Sequence, residues 1–194
     1  LWRRRNIKGV TAYAWYVAGQ TLWIFGFIIE LLSPGLSEKI FWDGVQWLAA
    51  LISLVAFPVF VVQYTEYKLK HPQRLFVLSL IVPIVFAIVL MTDTIHHLVY
   101  QNPAINSDYP FPELTYEFTW FIYGFSVYSY AVLLWGIGLL LRRLFHPHKL
   151  YRTQVAILIF GFLIPILGTA FSLFNIHIAP QRDVAPFAIA IANL

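Results

Sequence analysis

Residues 75–90, running from Leu75 to Leu90, read LFVLSLIVPIVFAIVL, without a charge and with Ser79 as the sole polar side chain. A membrane β-strand alternates apolar and polar positions over about 10 residues, and this run does not alternate. A helix of this composition is apolar on every face, so it has no side to turn to water and belongs in hydrocarbon. Similar runs recur on either side of it. The expected spans are Val10 to Leu32, Ile40 to Tyr64, Leu75 to Tyr100, Tyr116 to Leu141 and Val155 to Ile176, and another begins near Val184. The chain is 60% hydrophobic and 11% charged with a mean hydropathy of +0.72, whereas soluble domains carry roughly 25% charged residues. The expected fold is all-α: a polytopic, up-and-down transmembrane bundle of five full spans plus the start of a sixth. Its links are short, which makes sequential helices neighbours.

Charge placement orients the bundle. Arg3, Arg4, Arg5 and Lys8 precede the first span, Lys68, Lys70 and Arg74 follow the second, and Arg142, Arg143, Lys149 and Arg152 follow the fourth. Lys39 and Arg182 are the basic residues read into the other set of loops. By the positive-inside rule the basic loops 3–8, 68–74 and 142–152 face the cytoplasm. The same scatter excludes nucleic acid as a partner despite a pI of 9.4, because no basic face with interleaved aromatics forms. The partner that remains is the lipid bilayer. Cysteine is absent, so no disulfide framework or thiolate metal site can form. No internal repeat is evident, and the segment from Gln101 to Leu114, rich in proline, reads as a cap over the outer mouth.

Polar residues inside spans mark the faces that avoid lipid. Gln20, Trp23, Phe27 and Glu30 form one stripe. Tyr116, Thr119, Tyr123, Ser126 and Tyr130 form a second, and Gly161, Pro165, Gly168, Ser172 and Asn175 a third, in which small residues permit close helix approach. The third span carries Asp93, His96, His97 and Tyr100 at i, i+3, i+4 and i+7, with Asp93 about seven residues from the helix end and roughly 10 Å deep. Three readings of that cluster stay open: a hydrogen-bond network, a ligand- or proton-sensing site, and a metal site. Histidine titrates near neutral pH, which suits sensing. Adjacent histidines diverge by about 100° on a helix, which weakens the metal reading. Candidate ligand-binding residues are Glu30, Trp42, Asp93, His96, His97, Trp120, Tyr123 and Asn175, expected around a pocket in the outer half. No catalytic residue, metal ligand or cofactor is assigned.

Several segments in order resemble a known family. Glu30 closes a helix containing Trp23. Lys39-Ile40-Phe41-Trp42 opens the next, and Gln63-Tyr64-Thr65 lies near its inner end. Pro83 precedes Thr92-Asp93-Thr94-Ile95-His96-His97-Leu98, similar to a Thr-Asn-x-x-His-x-Leu pattern with Asp93 in place of the usual asparagine. Tyr151-Arg152-Thr153-Gln154, Leu163-Ile164-Pro165 and Asp183-Val184-Ala185-Pro186-Phe187 complete the likeness. Together they resemble the seven-helix membrane region at the N-terminus of bacterial sensor histidine kinases, also found on diguanylate cyclases. The resemblance implies a single transmembrane sensory domain, residues 1–194, lacking the family's first helix and the cytoplasmic output domain. It implies a multi-pass protein of the bacterial cytoplasmic membrane that detects an unknown small-molecule or physical signal, with an output domain in the same polypeptide as partner. The chain itself is expected not to be an enzyme, and a homodimer remains open. The alternative is a fragment of a secondary transporter or proton-coupled carrier, since intramembrane carboxylates and histidines also build proton relays. A retinal receptor would need a lysine inside a span, and Lys8, Lys39, Lys68, Lys70 and Lys149 are all read as loop residues.

Overall fold

The computed structural model describes residues 8–106, 112–145, 152–173 and 185–192. Among the described residues five helices are long and apolar enough to cross a membrane. These are α1 (Val10–Leu32), α2 (Leu36–Thr65), α3 (Pro72–Met91), α5 (Trp120–Leu144) and α6 (Arg152–Leu173). A short turn, α4 (Asp93–His96), follows α3, and α7 (Ala185–Ala192) is the last described element. The result is an all-α polytopic bundle.

Local chemistry sets the ends. Gly9 at φ 86 opens α1, and Ser33 closes it by donating its N–H and its hydroxyl to Ile29 O. Pro72 occupies the first turn of α3, where its missing N–H costs nothing. Thr119 caps α5, its hydroxyl accepting from the Ile122 N–H. The interior prolines Pro58, Pro83 and Pro165 lie within α2, α3 and α6.

Helix α2 is central, packing on α1, α3 and α5, while α6 joins α5 to α7 and α7 returns to α1. One apolar cluster gathers Tyr16, Phe57, Phe60, Ile137, Leu140 and Phe162. A second gathers Leu51, Leu54, Phe86, Leu90, Ile122 and Phe125. Without a hydrophobic drive between helices in lipid, close fit must hold them together. Gly19 and Gly26 provide it on α1. A Cβ at Gly19 would stand 2.7 Å from Ala49 O, and one at Gly26 2.9 Å from the Gln46 side chain.

The structure departs from the sequence reading at three places. The third span does not run helical to Tyr100. The Thr92 hydroxyl bonds back to Ile88 O, and His97 adopts φ 50. The Asp93 carboxylate takes the N–H groups of Val99 and Tyr100 at 2.7 and 3.1 Å. That local bonding offers the backbone an alternative to helix, so Asp93, His96, His97 and Tyr100 do not share a helical face. Second, the proline-rich cap contains an antiparallel ribbon, β1 (Gln101–Asn106) with β2 (Glu113–Glu117), whose register slips between Gln101 and Ala104. Tyr116 therefore sits on a strand and Thr119 at a cap, not on the α5 stripe. Third, Lys39 is not a loop residue. It lies in the first turn of α2, fully buried.

Candidate functional site

A cavity of about 590 Å³ lies between α1, α2, α5, α6 and α7, with residues of the ribbon in its lining. Helix α1 gives it Tyr16, Gln20, Trp23, Phe27 and Glu30, a stripe at steps of three and four that turns its whole width inward. Helix α2 gives Asp43, Gln46, Ala50 and Ser53 at the same spacing. Across from them stand Ser126, Ser129 and Tyr130 of α5 and Pro165 and Thr169 of α6. The walls are apolar and aromatic with convergent polar groups, the usual make-up of a small-molecule site.

At the ribbon end, Lys39 Nζ donates to Glu30 O at 2.6 Å, to Glu30 Oε1 at 3.1 Å and to Pro112 O at 2.7 Å. Glu30 Oε1 also accepts the Leu114 N–H at 3.0 Å. The two side chains are 0% and 3% exposed. Such a buried pair is tolerable because further hydrogen bonds support it: all three Lys39 donors are used and Glu30 Oε1 accepts twice. It ties the α1–α2 turn to the start of β2.

One helical turn deeper, Asp43 Oδ2 accepts the phenol O–H of Tyr100 at 2.9 Å and of Tyr116 at 3.2 Å. Trp47 Nε1 donates to the Tyr116 oxygen at 3.0 Å. Burial, reinforced by the Asp43 carboxylate, pushes the Tyr100 phenol far above the usual tyrosine range, so it stays a donor at any physiological pH. Further down, Ser53 donates to Tyr16 O at 3.0 Å, and Tyr130 shares a hydrogen bond with Thr169 at 3.0 Å. Among the described residues one buried side-chain atom lacks a hydrogen-bond partner: Oε1 of Gln20, in the cavity wall.

Of the candidate residues read from the sequence, Glu30 lines this cavity. Asp93 is buried at the α3–β1 turn, and His96 accepts the Leu98 N–H at Nδ1 (3.2 Å) while its Nε2 meets the Thr92 hydroxyl at 3.0 Å. The two side chains stand 3.6 Å apart, outside the cavity lining. His97 is exposed on the same turn. Trp42 packs edge-on against Phe41. Trp120 and Tyr123 are 73% and 47% exposed. Asn175 lies outside the described residues. The candidates are thus divided between a cavity wall, a turn and the bundle exterior. No group of three or more metal-ligating side chains occurs among the described residues.

Sequence reasoning missed Lys39, Asp43 and Gln46. Their spacing of four and three, continued by Ser53, carries the signal, but a lysine at a span boundary reads as a loop residue and the stripe loses its first member.

A family model described as the N-terminal 7TM region of histidine kinase matches residues 1–194. No curated protein and no solved structure matches the chain.

Proposed function

This chain belongs to the family of N-terminal 7TM regions of histidine kinases, and from that premise we propose that its cavity receives a small-molecule signal on the outer side of the bacterial cytoplasmic membrane. The basic loops 3–8, 68–74 and 142–152 face the cytoplasm, which puts the ribbon, and the end of the cavity it lines, outside. Residues 1–194 act as one sensory domain of a two-component kinase. Occupancy biases the packing of α6 and α7 against α1 and α2, and the chain beyond passes that bias to the cytoplasmic output domain.

One observation carries this reading: a cavity of about 590 Å³ whose wall presents a buried amide oxygen without a partner. A wall built only for packing would be filled, since voids forfeit contacts and buried polar atoms are nearly always paired. The test uses the full-length parent in lipid nanodiscs, screened for small molecules that change autophosphorylation. Ala50→Phe places a ring in the cavity and is expected to insert normally while abolishing the response to every such molecule. A variant that folds and keeps the wild-type dose response would place sensing elsewhere.

A further inference from the structure

We propose that the ligand is an organic ammonium ion with an aromatic or aliphatic body and a hydrogen-bond donor at its far end. The inference rests on the cavity being the receiving site and adds the chemistry of what it receives.

The charge inventory sets the sign. Among the described residues Glu30, Asp43 and Glu113 line the cavity, and no lysine, arginine or histidine does. Lys39 is close by, but its three donors are spent on Glu30 O, Glu30 Oε1 and Pro112 O. It neutralises Glu30 and offers nothing to Asp43, which has no ion pair among the described residues. The Tyr100 and Tyr116 hydroxyls both donate to Asp43 Oδ2, which makes that oxygen an acceptor and leaves Oδ1 for a ligand. An anionic ligand would meet Asp43 with no cation among the described lining residues to bind it. A neutral one would form no ion pair with it. A cation satisfies it.

The wall favours the same class. Trp23 and Phe27 stack with centroids 5.8 Å apart, and Trp47, Tyr116 and Phe118 stand near Asp43 along the lining. Faces of this kind attract ammonium groups electrostatically and cover an apolar body. Length follows from the helix. Gly26 packs at Trp42 and Gln46, which puts Asp43 near the level of Gly26. Gln20 then lies six residues deeper, about 9 Å at 1.5 Å per residue. Its orphaned Oε1 is an acceptor, so the far end of the ligand should donate.

The probes are 4-hydroxyphenethylammonium, its neutral isostere 4-(2-hydroxyethyl)phenol, its anionic isostere 3-(4-hydroxyphenyl)propionate, and phenethylammonium, which lacks the far donor. Binding is measured by calorimetry on the full-length parent in nanodiscs. The hydroxylated ammonium is expected to bind at least tenfold tighter than either isostere. Asp43→Asn should weaken it at least tenfold while leaving the neutral isostere, which also reports folding, unchanged. Phenethylammonium should bind several-fold more weakly, and Gln20→Leu should erase that difference. Equal or tighter binding of the neutral or anionic isostere overturns the cation while leaving the cavity reading intact, and this comparison needs no variant. Asp43→Asn binding the ammonium as well as wild type also overturns it. If no probe binds, the inference fails, and Ala50→Phe separately decides whether the cavity reading fails with it.

Discussion

Replacing Lys39 by methionine removes a fully buried ammonium of similar length and strands its partner. Glu30 would retain the Leu114 N–H as its described donor, with its carboxylate only 3% exposed. Breaking one side of a buried ion pair costs about 3 to 5 kcal/mol. Pairing Lys39→Met with Glu30→Gln removes the stranded charge. What then remains is the loss of donors to Glu30 O and Pro112 O, each worth about 1 kcal/mol. The double variant should therefore recover roughly 2 kcal/mol of what the single variant loses. Equilibrium unfolding in mixed micelles, followed by tryptophan fluorescence, measures both. Lys39→Met within about 1 kcal/mol of wild type, below the expected range, would show that the pair does not hold the turn. So would a double variant as unstable as the single one.

Gly136→Ala should destabilise the chain by about 1 to 3 kcal/mol, because a Cβ there overlaps the ring of the fully buried Phe57; at Gly138, where nothing lies within 4 Å, alanine should be neutral or stabilising by up to about 1 kcal/mol. The same unfolding assay compares them, and equal effects would show that α2 and α5 do not pack as described. Asp93→Ala orphans the buried N–H groups of Val99 and Tyr100, each costing about 1 to 3 kcal/mol. In the full-length parent it should lower stability without altering the ligand dependence of autophosphorylation, and an altered dose or pH dependence would instead make Asp93 and His96 part of signal detection. Cysteine scanning exploits a chain with no native cysteine: Ala104→Cys should react with an impermeant maleimide on intact cells and Lys70→Cys only after permeabilisation, and the reverse pattern would invert the topology.

The spans were legible because a run such as Leu75 to Leu90 has one solution in a bilayer. Their ends were not. Thr92, Asp93 and His97 are compatible with helix by composition, and what stops the helix is a set of side-chain to backbone bonds that requires Val99 and Tyr100 to fold back. The ribbon was hidden for a related reason, since Pro103, Pro110 and Pro112 argue against helix without specifying a strand partner. At the site, the α1 stripe from Gln20 to Glu30 was readable from spacing alone. Its α2 counterpart was not, because a lysine at a span boundary reads as solvated until the acid that neutralises it is known. Aromatic residues such as Trp42, Trp120 and Tyr123 were ambiguous, since lipid and cavity welcome the same side chains.

The Glu30–Lys39 pair bears also on how the protein is made. In the proposed orientation, with the basic loops inside, the turn between α1 and α2 has to be carried across the bilayer during synthesis, with both residues at its leading end. A lone lysine or aspartate at the helix centre disfavours insertion by about 2.5 to 3.5 kcal/mol. Glu30 and Lys39 are nine residues apart in sequence and meet at the turn itself. They can therefore associate as soon as α1 and α2 form a hairpin, and travel as one net-neutral unit. The α1–α2 segment would enter as a hairpin rather than one helix at a time, and Lys39→Met would slow its translocation before any folded stability is at stake.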